Sequence, residues 1–93
     1  MRVATLKLTF SIPWANSLKD KRAVVRSLTA KLREKFHVSV AEVEHHDIHR
    51  TAVIGIACVG NNAATLDSVL NHILDCLETN SEAELTNIER EII

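Results

Sequence analysis

Apolar and polar residues alternate near the start of the chain. The apolar positions are Ala4, Leu6, Leu8, Phe10 and Ile12. A period of two is typical of a β-strand with one buried face. Pro13 cannot donate a hydrogen bond to a neighbouring strand, so we expect the strand to end before it.

A helical period follows this strand. Ser17 and Asp20 have the spacing of a capping box, which predicts a helix that begins after Ser17 and runs to about residue 36. Lys21 projects near the apolar stripe of this helix, and we expect its ammonium group to extend back to solvent. The predicted stripe contains Leu18, Val25, Leu28, Leu32 and Phe36.

Two more strands are predicted on either side of a polar turn. In residues 38–45 the apolar positions change from one parity to the other, which indicates a β-bulge. Residues 51–59 are apolar at both parities, as in a central strand. The polar residues 46–50 connect the two strands as a hairpin turn.

The last two elements are a helix and an edge strand. The turn at residues 60–62 precedes a helix that we expect to end within residues 79–82, with Asn80 as a left-handed cap. Residues 84–93 are predicted to form an edge strand that carries Glu89 and Glu91. The apolar face of the helix contains Leu66, Val69, Leu70, Ile73, Leu74 and Leu77.

The resulting order, β-α-β-β-α-β, predicts an α+β fold of the ferredoxin-like sandwich type. We expect residues 1–93 to form one domain, with a four-stranded antiparallel sheet in the order 4-1-3-2 and two helices on one face. The predicted core contains Ala4, Leu6, Leu8, Phe10, Leu28, Leu32, Ile54, Ile56, Leu66, Leu70, Ile73 and Leu77.

Composition narrows the class of protein further. A hydrophobic fraction of 46% and a charged fraction of 25% match a soluble globular domain and exclude a disordered or repetitive chain. Cys58 and Cys76 lie in apolar stretches without metal-ligand spacing, so we expect buried thiols in a reducing cytoplasm. No apolar run approaches the ~20 residues of a membrane-spanning helix, and we expect a cytoplasmic protein without membrane association.

Two segments carry a resemblance to a known family. Residues 17–22 read SLKDKR and residues 38–43 read VSVAEV, and over essentially all 93 residues the chain resembles the YlxP-like family of small bacterial proteins. The resemblance implies a ferredoxin-like domain of unknown function without catalytic residues. Genes of this family often lie among genes for translation and ribosome-maturation factors, which implies a role connected with RNA or the ribosome. The chain departs from the family pattern at His46, where glutamine is common, and at His49, where a larger apolar residue is common.

Charge is divided unevenly along the chain. Residues 1–36 contain nine Lys or Arg residues and two acidic residues, whereas residues 37–93 contain two basic and ten acidic residues. This division favours an anionic partner for the first half. The alternative is that the two halves neutralise each other within the fold or within a dimer.

Four cations of the first helix fall within an arc of about 60° and form what we call the basic ridge. The basic ridge contains Lys19, Arg22, Arg26 and Arg33. We expect it to bind the phosphates of RNA, free or within ribosomal subunits. The alternative is a solvated face that pairs with acids of the second helix. Those acids are Asp67, Asp75 and Glu78.

Aromatic residues give little support for base recognition across the sheet. The chain has no Tyr, and Phe10 and Phe36 fit the core pattern. Trp14 lies in a predicted loop, where it either stacks on a base or a partner side chain, or covers an open edge of the core.

The sheet face opposite the helices predicts a different function, a self-associating regulatory module without nucleic acid. Its mixture of apolar and polar residues suits a two-fold interface. Val53→Glu is expected to dissociate such a dimer without disturbing the core. The residues of this face are Val3, Thr5, Lys7, Thr9, Thr51, Val53, Ala57 and Val59, and the candidates for dimer contacts are Val3, Thr5, Val53 and Ala57.

Metal binding and catalysis have weaker support in the sequence. The polar hairpin contains His45, His46, Asp47 and His49, but their spacing matches no metal motif, and we expect an exposed turn without metal or cofactor. Acylphosphatases share the predicted architecture. The chain lacks a glycine-rich phosphate loop after its first strand, so an acylphosphatase-like enzyme is the least favoured alternative.

Overall fold

The structure, a computed structural model, describes residues 1–79 and 82–93. Its elements are β1 (Arg2–Ser11), α1 (Leu18–Phe36), β2 (Ser39–Glu44), β3 (Thr51–Gly60), α2 (Ala63–Glu78) and β4 (Glu84–Ile92). The strands pair antiparallel in the order β2-β3-β1-β4, which is the predicted order 4-1-3-2 counted from the other edge. The predicted ferredoxin-like fold is confirmed.

The core lies between the two helices and one face of the sheet. Every residue of the predicted core is buried. Burial alternates along β1, and its buried residues pair with those of β3, as in Leu6 with Ile56 and Leu8 with Ile54. Such cross-strand apolar pairs stabilise the sheet and give the helices a continuous surface to pack against.

Local hydrogen bonds explain where α1 begins. The Ser17 hydroxyl accepts a hydrogen bond from the Asp20 N–H, as predicted. The Asp20 carboxylate accepts from the N–H of Asn16, one residue earlier than in the usual capping box. At its other end α1 stops at His37, whose left-handed φ of 49° breaks the helical path.

The second helix begins at a side-chain cap as well. The Asn62 side chain accepts hydrogen bonds from the N–H groups of Ala64 and Thr65. Asn80, the predicted left-handed cap at the other end, lies outside the described residues. Neither α1 nor α2 is long and apolar enough to cross a membrane.

Both edge strands contain a bulge. In β2, Glu42 pairs with Ile54 and Glu44 pairs with Val53, which leaves Val43 as the extra residue and confirms the predicted bulge. Val43 then lies against Gly55, where an added Cβ would come within 2.8 Å of a Val43 methyl carbon. The pairing of β4 with β1 also shifts register, between Thr9 and Phe10, and the sequence pattern did not indicate this shift.

The buried face of α1 differs from the predicted stripe. Leu28 and Leu32 are buried as expected, but Leu18, Val25 and Phe36 are only partly buried. The helix is rotated so that other side chains face inward. The buried residues of α1 are Lys21, Val24, Leu28, Thr29 and Leu32.

Three further burial predictions are corrected by the structure. Val53 lies on the sheet face away from the helices but is only 2% exposed, so Val53→Glu would place a charge in a buried position. The thiols of Cys58 and Cys76 are partly exposed rather than buried. Partial burial still raises the pKa of the Cys58 thiol.

A basic ridge and a buried lysine on the first helix

The two flanks of α1 face different parts of the molecule. Arg33 donates a hydrogen bond of 2.7 Å from its guanidinium to the carbonyl of Val40 in β2. On the opposite flank, Lys35 Nζ lies 3.9 Å from the Sγ of Cys76 in α2. One flank therefore borders the edge strand β2, and the other borders α2.

The basic ridge lies on the flank that borders β2. Lys19, Arg22 and Arg26 are exposed, and they form no ion pair within residues 1–79 and 82–93. α2 borders the other flank, and the carboxylate of its Asp67 is bound by Arg90 of β4. In the described part of the chain, the α2 acids therefore leave the basic ridge without a partner.

Arg33, the fourth member of the basic ridge, has a structural contact of its own. Its bond to the Val40 carbonyl occupies an acceptor on the edge strand β2. The ring Nε2 of His46 lies 3.0 Å from the Glu42 carbonyl of the same strand, so a proton on Nε2 makes it a donor there. Side chains that occupy the backbone of an edge strand hinder pairing with another chain.

Lys21 is 1% exposed, and the prediction that it extends to solvent is wrong. Its Nζ donates to the carbonyls of His45 at 2.5 Å and Ile48 at 2.7 Å. Glu42 Oε2 also lies 2.7 Å from Nζ. This last contact is an ion pair without hydrogen-bond alignment, because Oε2 has no hydrogen-bond partner among the described residues. Three oxygens thus offset the cost of burying the ammonium group.

The hairpin is shaped to hold this lysine. His45 has a left-handed φ of 57°, and its carbonyl also accepts from the Ile48 N–H at 3.0 Å. The two carbonyls that bind Lys21 therefore belong to one closed turn. The first turns of α1 are attached to the hairpin through this turn. No signal near Lys21 in the sequence indicates the contact, because its partners lie 24 and 27 residues away.

The predicted polar hairpin is mostly exposed. His45, His46 and Asp47 are exposed, and His49 is partly buried. In the described ranges no three His, Cys, Asp or Glu side chains come close enough together to hold a metal ion.

The sheet face opposite the helices carries a shallow depression of about 440 Å³. Thr5 and Ala57, two of the candidate dimer contacts, line it, and Val3 pairs with Val59 farther along the same strands. The fourth candidate, Val53, is buried by its own chain. The other lining residues of this face include Lys7, Ser39, Ala41, Val43 and Gly55.

An ion pair adjoins this depression. Lys7 Nζ lies 2.5 Å from Glu44 Oε1 and 4.0 Å from Glu89 Oε2. The hydrogen bond to Glu44 raises the pKa of Lys7, and the same bond lowers the pKa of Glu44.

The loop before α1 holds Trp14 in a defined position. Its indole N–H donates to the Glu82 carbonyl at 2.7 Å, and the side chain remains 49% exposed. Arg50 Nε donates to the carbonyl of Ala15 at 3.1 Å. The loop containing Trp14 is thereby attached both to the start of β4 and to the start of β3.

Comparison with a solved ferredoxin-like structure agrees with the fold. A crystal structure of a dimeric ferredoxin-like protein from an uncultured marine organism matches with a TM-score of 0.57 and 12% identity, over 100% of this chain and 96% of the other. A solution structure of a de novo designed protein with a ferredoxin fold gives a TM-score of 0.44 and 11% identity, over 99% and 85%.

Comparison with known sequences extends the resemblance from the fold to a family. Uncharacterized protein YlxP of Bacillus subtilis (strain 168) is 32% identical over 72 residues, which cover 77% of this chain and 78% of the relative. A family model described as "Protein of unknown function (DUF503)" matches residues 3–90. The chain belongs to this DUF503 family.

Proposed function

We propose that this protein is a cytoplasmic binding module that associates with RNA, free or within ribosomal subunits, through the basic ridge of α1. The observation that carries the proposal is the position of Lys19, Arg22 and Arg26 on the flank away from α2. These side chains are exposed and form no ion pair among the described residues. Their charge is therefore available to an anionic partner.

The expected interaction is electrostatic and largely independent of base sequence. Each phosphate contact to a single strand contributes about −0.7 to the slope of log affinity against log salt. The guanidinium of Arg33 donates to the Val40 carbonyl, which leaves three ridge cations whose charged groups have no partner among the described residues. We expect a slope of about −2 for these three cations, compared with about −3 if Arg33 also contacts a phosphate.

The test is RNA binding by charge-reversal variants on the two flanks of α1. Arg22→Glu with Arg26→Glu should abolish the binding of a fluorescein-labelled RNA strand measured by anisotropy. Lys31→Glu with Lys35→Glu makes the same change in net charge on the flank that borders α2, and it should retain most of the affinity. Thermal melting of both variants controls for folding.

Two results would contradict the proposal. One is equal loss of affinity in both pairs of variants, since net charge alone would then govern binding. The other is unchanged binding by the variant of Arg22 and Arg26.

His46→Ala and His49→Ala should leave RNA binding unchanged, which separates the proposal from a metal-dependent function. Cosedimentation with ribosomal subunits at low salt, lost as salt rises, would extend the result to the ribosome.

Self-association is a second candidate function, favoured by the depression opposite the helices. Small side chains such as those of Ala41 and Ala57 line it, so a second copy could approach closely. The marine ferredoxin-like protein with the same fold is described as dimeric. Light scattering at micromolar concentration should then give twice the monomer mass of 10.4 kDa. Ala57→Glu should return the protein to a monomer, and a monomeric wild type would contradict this candidate.

A further inference from the structure

One end of the molecule combines an exposed tryptophan with several cations. The N-terminus of α1, the loop before it and the hairpin between β2 and β3 meet at this end. The Ile12 N–H donates to the Arg50 carbonyl at 2.9 Å, and Arg50 Nε donates to the Ala15 carbonyl. The Arg50 guanidinium is thus held beside the residue that follows Trp14, and its terminal amino groups have no hydrogen-bond partner within residues 1–79 and 82–93.

Trp14 is held so that its ring stays accessible. Its one polar atom, the indole nitrogen, is bound to the Glu82 carbonyl, yet 49% of the residue is exposed. The two Phe side chains belong to the core or pack against it, since Phe10 is buried and Phe36 is partly buried. Among the Trp, Tyr and Phe residues of the chain, Trp14 is therefore the exposed one, and its orientation is set before any ligand arrives.

The chain itself keeps Trp14 close to the start of the basic ridge. Ser17, the cap of α1, lies three positions after Trp14, a path of at most about 11 Å. Arg22 lies five residues beyond Ser17, which corresponds to about 7.5 Å along the helix axis. Trp14, Arg50, Lys19 and Arg22 thus lie within the reach of one short oligonucleotide.

We infer that Trp14 stacks on an unpaired base of a single-stranded nucleic acid, while Arg50, Lys19 and Arg22 hold the neighbouring phosphates. This inference rests on the proposed function and adds the class of nucleic acid and a stacking residue. Proteins that bind single strands combine cations along the backbone with aromatic rings that stack on bases. A duplex offers no unpaired base to Trp14, so single strands should bind more tightly.

The chain contains one Trp and no Tyr, so intrinsic fluorescence reports on Trp14 directly. A 12-nucleotide oligouridylate should quench this fluorescence. Inorganic polyphosphate, which carries the charge without bases, should bind without comparable quenching.

Trp14→Leu should weaken oligouridylate binding roughly 10-fold with little change in the salt slope, whereas Trp14→Phe should retain most of the affinity. Arg50 adds a fourth phosphate contact, so this inference expects a wild-type slope of about −3, and Arg50→Met should return it to the value of about −2 expected for the three ridge cations alone.

The outcomes separate this inference from the proposed function. If labelled oligouridylate binds by anisotropy but leaves Trp14 fluorescence unchanged, stacking is overturned and charge-based binding stands. Equal quenching by polyphosphate, or equal affinity for a duplex, also overturns stacking. If the wild type binds no labelled strand at low salt, the proposed function fails and the inference fails with it. Should Trp14→Leu not fold, the comparison of oligouridylate with polyphosphate on the wild type still decides.

Discussion

Lys21 and Arg22 are adjacent in the chain and carry the same charge, but the fold gives them opposite environments. Lys21 is 1% exposed and is held by three oxygens of the β2–β3 hairpin. Arg22 is exposed and forms no ion pair within the described ranges. A rotation of 100° about the helix axis separates the two side chains. A helix can therefore use one cation for stability and present the next one to a partner.

Among the variants that test this comparison, Lys21→Met is expected to lower the free energy of unfolding most. Methionine has a similar length but no charge, so the two carbonyls and the Glu42 carboxylate lose their shared partner. Removal of one member of a buried ion pair typically costs about 3–5 kcal/mol of unfolding free energy. Urea denaturation followed by circular dichroism measures this loss. A variant as stable as the wild type would show that these contacts contribute no net stability.

The burial of Lys21 is a feature that the sequence pattern did not predict. The alternation in β1 and the helical period of α2 predicted much of the core, because burial there follows apolar side chains, and the order of the elements predicted the strand order. A lysine beside an apolar stripe carries no such signal. Its partners His45 and Ile48 come from a distant turn, and only the packed fold brings them together.

The orientation of the basic ridge was unpredictable for a related reason. The spacing of Arg22 and Arg26 predicted that they share one side of α1. Spacing cannot say whether that side borders β2 or α2, because this depends on how the helix is rotated against the sheet. The contact of Arg33 with Val40 settles the orientation. The hydrogen bond from Trp14 to Glu82 joins residues 68 positions apart, and no sequence pattern predicted it either.

A smaller effect on stability, which depends on pH, is expected for the ion pair of Lys7 and Glu44. This pair is largely exposed, whereas the pair that the nearby Glu42 forms with Lys21 is buried. Lys7 lowers the folded-state pKa of Glu44 below its ordinary value of 4.5. The stabilisation by this pair is therefore present above pH 4.5 and is lost as pH falls through the lower folded-state pKa. At the alkaline end, Glu44 raises the folded-state pKa of Lys7 above 10.5, so the stabilisation is lost as pH rises through that higher pKa.

Thermal melting of Glu44→Gln across this pH range tests the exposed pair. The variant should melt below the wild type at neutral pH, and the two curves should converge in acid and again in strong alkali. Glu91→Gln is a matched control, because Glu91 is an exposed acid of β4 with no ion pair in the part of the chain that the structure describes. A difference between Glu44→Gln and the wild type that persists unchanged into acid would contradict the assignment.

The smallest effect on stability is expected for Arg22→Met, the same kind of change one residue along from Lys21. Methionine and arginine have similar helix propensities, and Arg22 loses no ion pair among the described residues, so the unfolding free energy should change by less than about 0.5 kcal/mol. RNA affinity should fall nonetheless, with the salt slope reduced in magnitude by about 0.7, because one phosphate contact is lost. Lys21→Met and Arg22→Met together form a matched pair, in which the first should change mainly stability and the second mainly binding. A loss of stability in Arg22→Met as large as in Lys21→Met would mean that the ridge cation is structural, and its charge would then not be free for a partner.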